Sequence, residues 1–223
     1  MTPDDAAAAA ALGADAVGMI LHADARRRID LAAAAAIVRA AGPLVTTVGV
    51  FVDAEEDQII DAAETLGLGA VQLHGHETPA DAAALAPFKV LKAIKCAAAT
   101  IRGTLHEWRE VIAEGALPNL AALLLEAPTA AAGGTGEAND FGLIESLQRE
   151  GAFDGLPPII VAGGLRPENV GDVVRRLRPY GVDVSSGIEE TFGRKSPARM
   201  ATFAEQVRLA DSSSEPPPTG EFS

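Results

Sequence analysis

The stretch that decides the fold reads Ile159-Ile160-Val161-Ala162-Gly163-Gly164-Leu165-Arg166-Pro167-Glu168-Asn169-Val170, and its counterpart is Gly181-Val182-Asp183-Val184-Ser185-Ser186-Gly187. In each, a short β-branched run ends in small residues before a polar segment. A fully buried strand of a parallel sheet carries such a run, since both of its faces are covered. Glycine without a side chain lets backbone N–H groups approach a ligand, and a helix start adds favourable polarity for an anion. Two such turns in the last two units match the place where α/β barrels hold phosphate. Either motif alone reads equally well as a tight turn. Together they favour phosphate, held by Gly163, Gly164, Ser185, Ser186 and Gly187.

Working outward, similar apolar runs recur at 16–21, 44–52, 70–73, 89–94, 121–125, 158–162 and 182–185. Alanine-rich segments of helical period fill the intervals, at 2–12 (or from 4), 30–41, 54–66, 79–86, 105–114, 141–150, 167–177 and 197–210. Thr78-Pro79 and Arg166-Pro167 place proline at the first helical position, where its missing N–H does no harm. Strand and helix in strict alternation predict repeated βα units around a parallel sheet. The expected fold is an α/β (β/α)8 TIM barrel over residues 1–210. A helix opens the chain, so seven strands accompany eight helices and the first barrel strand is expected to be absent. Residues 211–223, rich in serine, proline and acid, are expected to form a disordered tail.

Composition narrows the partners. A 223-residue chain with 48% hydrophobic residues suits a single barrel domain. The formal charge of −13 disfavours nucleic acid and anionic membrane surfaces, so an anionic ligand must be held locally. The lone cysteine, Cys96, excludes an intramolecular disulfide, and no metal-ligand cluster is evident. No secretory signal or bilayer-spanning run is seen, and a cytoplasmic location is expected.

Further motifs lie along the chain: Gly13-Ala14-Asp15-Ala16-Val17-Gly18, Val48-Gly49-Val50-Phe51-Val52, Val71-Gln72-Leu73-His74-Gly75 and Gly133-Gly134-Thr135-Gly136. With the two phosphate turns, their order and spacing resemble the phosphoribosylanthranilate isomerase family from Thr2 to about Leu209. The resemblance implies a ribulose-phosphate-binding barrel of tryptophan biosynthesis that works without cofactor or metal. It further implies an Amadori rearrangement of N-(5-phosphoribosyl)anthranilate, in which a general acid opens the ribose ring and a general base takes the proton from C2. A small phosphorylated substrate is the expected partner, and a monomer or homodimer the expected assembly.

The resemblance places the acid at Glu126, where the family has aspartate; a solvated loop carboxylate is the alternative reading. The family's base is a cysteine in a Lys-x-Cys-Gly motif on the first strand, and that motif precedes the segment matched by Met1-Thr2-Pro3-Asp4-Asp5. A start assigned at an internal methionine is therefore expected. Cys96 as a replacement base competes with its reading as a small packing residue. Arg27, within Arg26-Arg27-Arg28, falls on the arginine that holds the anthranilate carboxylate, against a solvated basic run. Gln72 and His74 share a strand face and Asp183 shares one with Ser185; the resemblance puts Gln72, His74 and Asp183 at the substrate. A satisfied core histidine and a structural cap are the respective alternatives. The rival function is a noncatalytic truncated barrel that keeps only its phosphate site, and a third reading is another sugar-phosphate barrel enzyme.

Overall fold

The computed structural model describes residues 1–23, 27–126 and 141–212. Among these, seven parallel strands form one sheet in sequential order: β1 (Ala16–His22), β2 (Thr46–Phe51), β3 (Ala70–Leu73), β4 (Val90–Lys95), β5 (Leu120–Glu126), β6 (Ile159–Ala162) and β7 (Gly181–Val182). The helices are α1 (Pro3–Ala11), α2 (Leu31–Ala41), α3 (Glu56–Leu66), α4 (Pro79–Ala84), α5 (Ile101–Ala113), α6 (Gly142–Arg149), α7 (Val170–Leu177) and α8 (Pro197–Ser212). A two-stranded antiparallel hairpin, β8 (Glu189–Thr191) and β9 (Arg194–Lys195), stands apart from the sheet.

Local chemistry explains the helix starts. Thr2 and Thr78 each accept the N–H three residues on, and Asp5 and Asp81 return the bond to the cap's own N–H. Each such reciprocal pair satisfies two donors that a helix start would leave orphaned. Asp30 caps α2 through Ala33 N–H at 2.8 Å.

The core lies between sheet and helices. Val17, Met19 and Leu21 of β1 are buried there with Ile37 of α2 and Val71, Leu73, Leu123 and Leu125 of the sheet. The opposite face of the sheet holds a small second cluster of Ala93, Leu124 and Ala162. Strand parity therefore sends Glu126 to the interior with Leu124, and Lys95 with Ala93. On β1 the same parity leaves Ala16 and Gly18 exposed. β1 and β7 are the two edges of the curled sheet, which is a (β/α)8 barrel architecture with one strand lacking among the described residues.

Four expectations need correction. The predicted helix at 167–177 begins at Val170 instead. Asn169 explains the delay, because its Oδ1 accepts Arg166 N–H at 2.8 Å and its Nδ2 donates to Gly164 O at 3.1 Å. Such side-chain bonds compete with helix formation. The strand expected at 182–185 is only Gly181–Val182, since the backbone bends at Ser185 into a short 3-10 helix, Ser186–Ile188. The run at 44–52 yields a strand only from Thr46, and Leu44 is 95% exposed. Helix α5 starts at Ile101, four residues earlier than periodicity indicated, because Ile101 packs fully into the core. Helix α8 runs through Ser212, and the rest of the expected tail lies outside the described residues, as do Arg26 and Gly133-Gly134-Thr135-Gly136.

Candidate active site

All seven strands run parallel, so their C-terminal ends open on one face, and the predicted residues gather there. Ala162 pairs in register with Glu126, which pairs with Lys95. Glu126 thus stands one residue from the Gly163-Gly164 turn. His74, just past β3, places Nε2 3.6 Å from Glu126 Oε2. Gln72, buried on the same strand face, puts Nε2 2.8 Å from His74 Nδ1. An amide nitrogen can only donate, so Nδ1 accepts and the ring proton sits on Nε2, facing Glu126. The His74 N–H directed at it holds the Glu126 carboxyl below its ordinary range; burial opposes this, and the Lys95 charge assists.

Asp183 continues the line of β7, with its N–H bonded to Val161 O at 2.9 Å. Its residue surface is open at the mouth, yet the surrounding barrel wall desolvates the carboxyl and raises its pKa. Glu126 adds to the rise, while His74 and Lys195 oppose it. The two carboxyls at the mouth are thereby driven in opposite directions.

The two small-residue turns touch. Gly163 and Gly164 adopt φ of +84° and +60°, a region that side-chain-bearing residues avoid. A Cβ on Gly187 would lie 1.8 Å from Leu165 O and 2.8 Å from its carbonyl carbon. Only glycine lets the second turn close on the first. Arg199 of α8 clamps the contact, donating from Nε and Nη2 to Gly187 O at 3.0 and 2.9 Å. Gly164, Ser185 and Ser186 remain exposed at the mouth. Because α7 starts late, the loop itself, shaped by Asn169, presents the backbone there.

Arg27 was expected at a ligand carboxylate, and the structure brings it to a protein one. Its Nε and Nη2 donate to Glu189 Oε1 and Oε2 at 3.1 and 2.9 Å, and its guanidinium lies 4.3 Å from the Phe192 ring centroid. Glu189 also accepts Gly193 N–H at 3.1 Å and Lys195 Nζ at 3.2 Å. Lys195 in turn donates to Ser185 O at 2.7 Å. Burial alone would raise the Glu189 carboxyl, but these donors outweigh it and bring the value down to about 2. The hairpin escaped sequence reading. Its signals were Phe192-Gly193, where Gly193 turns at φ +78°, and a short charged alternation on either side.

Cys96 is 1% exposed, and burial, with the Glu126 charge adding, pushes its thiol up to about 12. A thiol so held is a packing residue, not a nucleophile or base. Among the described residues no His, Cys, Asp and Glu group could hold a metal ion, and no helix is long and apolar enough to cross a membrane.

The family model described as N-(5'-phosphoribosyl)anthranilate isomerase matches residues 1–206. The chain belongs to this family. The isomerase of Ralstonia nicotianae is 37% identical over 94% of this chain and 90% of its own length. The crystal structure of the family member from Thermotoga maritima superposes with a TM-score of 0.80 at 32% identity, covering 94% of this chain and 95% of that one. Another member, crystallised with reduced 1-(o-carboxyphenylamino)-1-deoxyribulose 5-phosphate, gives a TM-score of 0.77 at 30% identity over 93% and 94% of the two chains. The family resemblance read from the motifs is therefore correct.

Proposed function

We propose that this chain binds N-(5-phosphoribosyl)anthranilate across the barrel mouth and serves its Amadori rearrangement to 1-(2-carboxyphenylamino)-1-deoxyribulose 5-phosphate in tryptophan biosynthesis. The observation that carries the reading is the Gly187 contact, which welds two glycine turns into one anion cradle beside Glu126 and His74. The 5-phosphate sits on Gly163, Gly164, Ser185, Ser186 and Gly187. Arg27 takes the anthranilate carboxylate at the opposite end, and Gln72, His74 and Asp183 line the sugar between them. A family member's complex with a reduced form of the product supports this ligand class.

Glu126 is the proposed acid that protonates the ribose ring oxygen, breaking the C1–O bond to give an open imine. Because His74 holds Glu126 towards its ionised form, the proton must be supplied across the Glu126–His74 pair. Loss of the C2 proton to a base then gives an enol that tautomerises to the ketose. No Lys-x-Cys-Gly motif occurs in the 223 residues. No described residue is assigned here as the base, and a strand carrying that motif would pair at the β1–β7 edge.

A direct test extends the chain ahead of Met1 by a strand carrying Lys-x-Cys-Gly and follows the fluorescence of phosphoribosylanthranilate. Isomerisation is expected from the extended chain and little from the 223-residue chain. Equal activity of the two would refute the need for that motif. Ligand binding without turnover by both would support a noncatalytic phosphate-binding barrel.

A further inference from the structure

Glu189 lies outside every motif that pointed to the site, yet it joins two of the site's parts. Its side chain is 6% exposed and receives four donors: two from Arg27, one from Gly193 N–H and one from Lys195. Lys195, 7% exposed, spends a second N–H on Ser185 O in the phosphate cradle. Arg27 is 32% exposed at its side chain and reaches the mouth. Phe192, on the tip between β8 and β9, is 60% exposed and covers one guanidinium face.

A guanidinium offers five N–H donors in a planar fork. Glu189 engages Nε and Nη2, so Nη1 and the outer N–H of Nη2 form an edge that Glu189 does not use. An arginine held on one edge by a buried carboxylate and on one face by an aromatic ring has lost most of its rotamer freedom before a ligand arrives. Pre-ordering of this kind lowers the entropic cost of binding a second carboxylate.

We propose that the β8–β9 hairpin is a specificity element for the aromatic-acid end of the substrate, with Glu189 and Phe192 as positioning residues that aim the outer edge of Arg27. Glu189 acts only through Arg27, and the proposal rests on the assignment of Arg27 to the anthranilate carboxylate.

The experiment is calorimetric titration of the full chain with two probes. One is reduced 1-(o-carboxyphenylamino)-1-deoxyribulose 5-phosphate, and the other is its analogue lacking the ring carboxylate. Arg27→Ala is expected to weaken the carboxylated probe by about 10- to 100-fold, the range of a charged hydrogen bond, and to leave the other probe unchanged. Glu189→Gln is expected to weaken the carboxylated probe by about three- to tenfold, as ordering one long side chain would, again sparing the other. Adding Glu189→Gln to Arg27→Ala is expected to change nothing more.

Equal affinity of Arg27→Ala and the parent chain for the carboxylated probe would overturn the Arg27 assignment itself. A large Arg27→Ala effect with none from Glu189→Gln, or with fully additive effects, would leave that assignment standing and overturn the hairpin proposal. Should Glu189→Gln lose both probes through misfolding, Phe192→Ala decides. Loss confined to the carboxylated probe supports the proposal; equal loss of both, or no loss, overturns it.

Discussion

Two buried glutamate–lysine pairs stand at the barrel mouth, and they differ in what else they hold. Glu77 and Lys92 are 6% and 5% exposed at their side chains, and Glu189 and Lys195 are 6% and 7%. Glu77 accepts Asp53 N–H and Gly75 N–H at 2.8 Å and Lys92 Nζ at 2.6 Å, while Lys92 also donates to Gly75 O at 2.8 Å. Every one of these partners is either backbone of the loops after β2 and β3 or the buried Lys92 of β4. Glu189 instead shares itself with Arg27, which is partly exposed, through longer bonds. The first pair ties two loops together and holds the segment behind Gln72 and His74. The second couples structure to a ligand-facing side chain. Equal burial and equal charge therefore do not imply equal roles; the exposure of the third partner separates them.

The contrast is sharpest for Lys92→Met, which leaves Glu77 buried without its cation. Breaking a buried pair on one side costs about 3–5 kcal/mol, so chemical denaturation should show a loss of that size. Probe discrimination by the folded protein should be unchanged. A stability-neutral Lys92→Met would erase the distinction drawn between the two pairs.

Acid sensitivity separates them next. Glu189 has a folded-state value of about 2 against an ordinary 4.5, so it stabilises the fold above pH 4.5 and loses that contribution as pH falls towards 2. The difference corresponds to ~3 kcal/mol. The unfolding free energies of the parent and Glu189→Gln chains should accordingly converge across that window, and parallel curves would contradict the Glu189 network.

Gly187→Ala probes the cradle that Lys195 adjoins. Its Cβ would meet the Leu165 carbonyl, which is backbone and cannot rotate away. Overpacking of this kind costs about 1–3 kcal/mol. Affinity for inorganic phosphate should fall with it, measured by titration, whereas retention of phosphate binding would detach the cradle from the Gly187 contact. The smallest effect belongs to Phe192→Ala, where loss of a partly exposed cation–π contact is worth about 0.5–1 kcal/mol. Thermal unfolding should barely register it, while the carboxylated probe should weaken a few-fold.

Much of this site was legible in the chain. Periodicity located all seven strands, because a parallel strand buried on its helix face must be apolar and short. Strand parity put Gln72 and His74 on one face and the family resemblance put Glu126 beside the substrate; in the structure Gln72 Nε2 lies 2.8 Å from His74 Nδ1, and His74 Nε2 lies 3.6 Å from Glu126 Oε2. The late start of α7 was hidden because Pro167 is a sound local signal that a tertiary turn, braced by Asn169, overrides. The hairpin was hidden because Glu189, Arg194 and Lys195 are charged residues whose local sequence carries no sign of burial; only the fold makes Lys195 and Glu189 interior groups.

By itself, then, the sequence determined the strand–helix alternation, the glycine turns and the family. These depend on local periodicity and on residues whose conformational freedom is intrinsic. Tertiary structure alone decided that Gly187 meets Leu165, that Arg27 is held by Glu189 some 162 residues away, and that Cys96 is sealed in the core. Contacts between distant segments depend on the curvature of the curled sheet, and no local window of sequence carries that information.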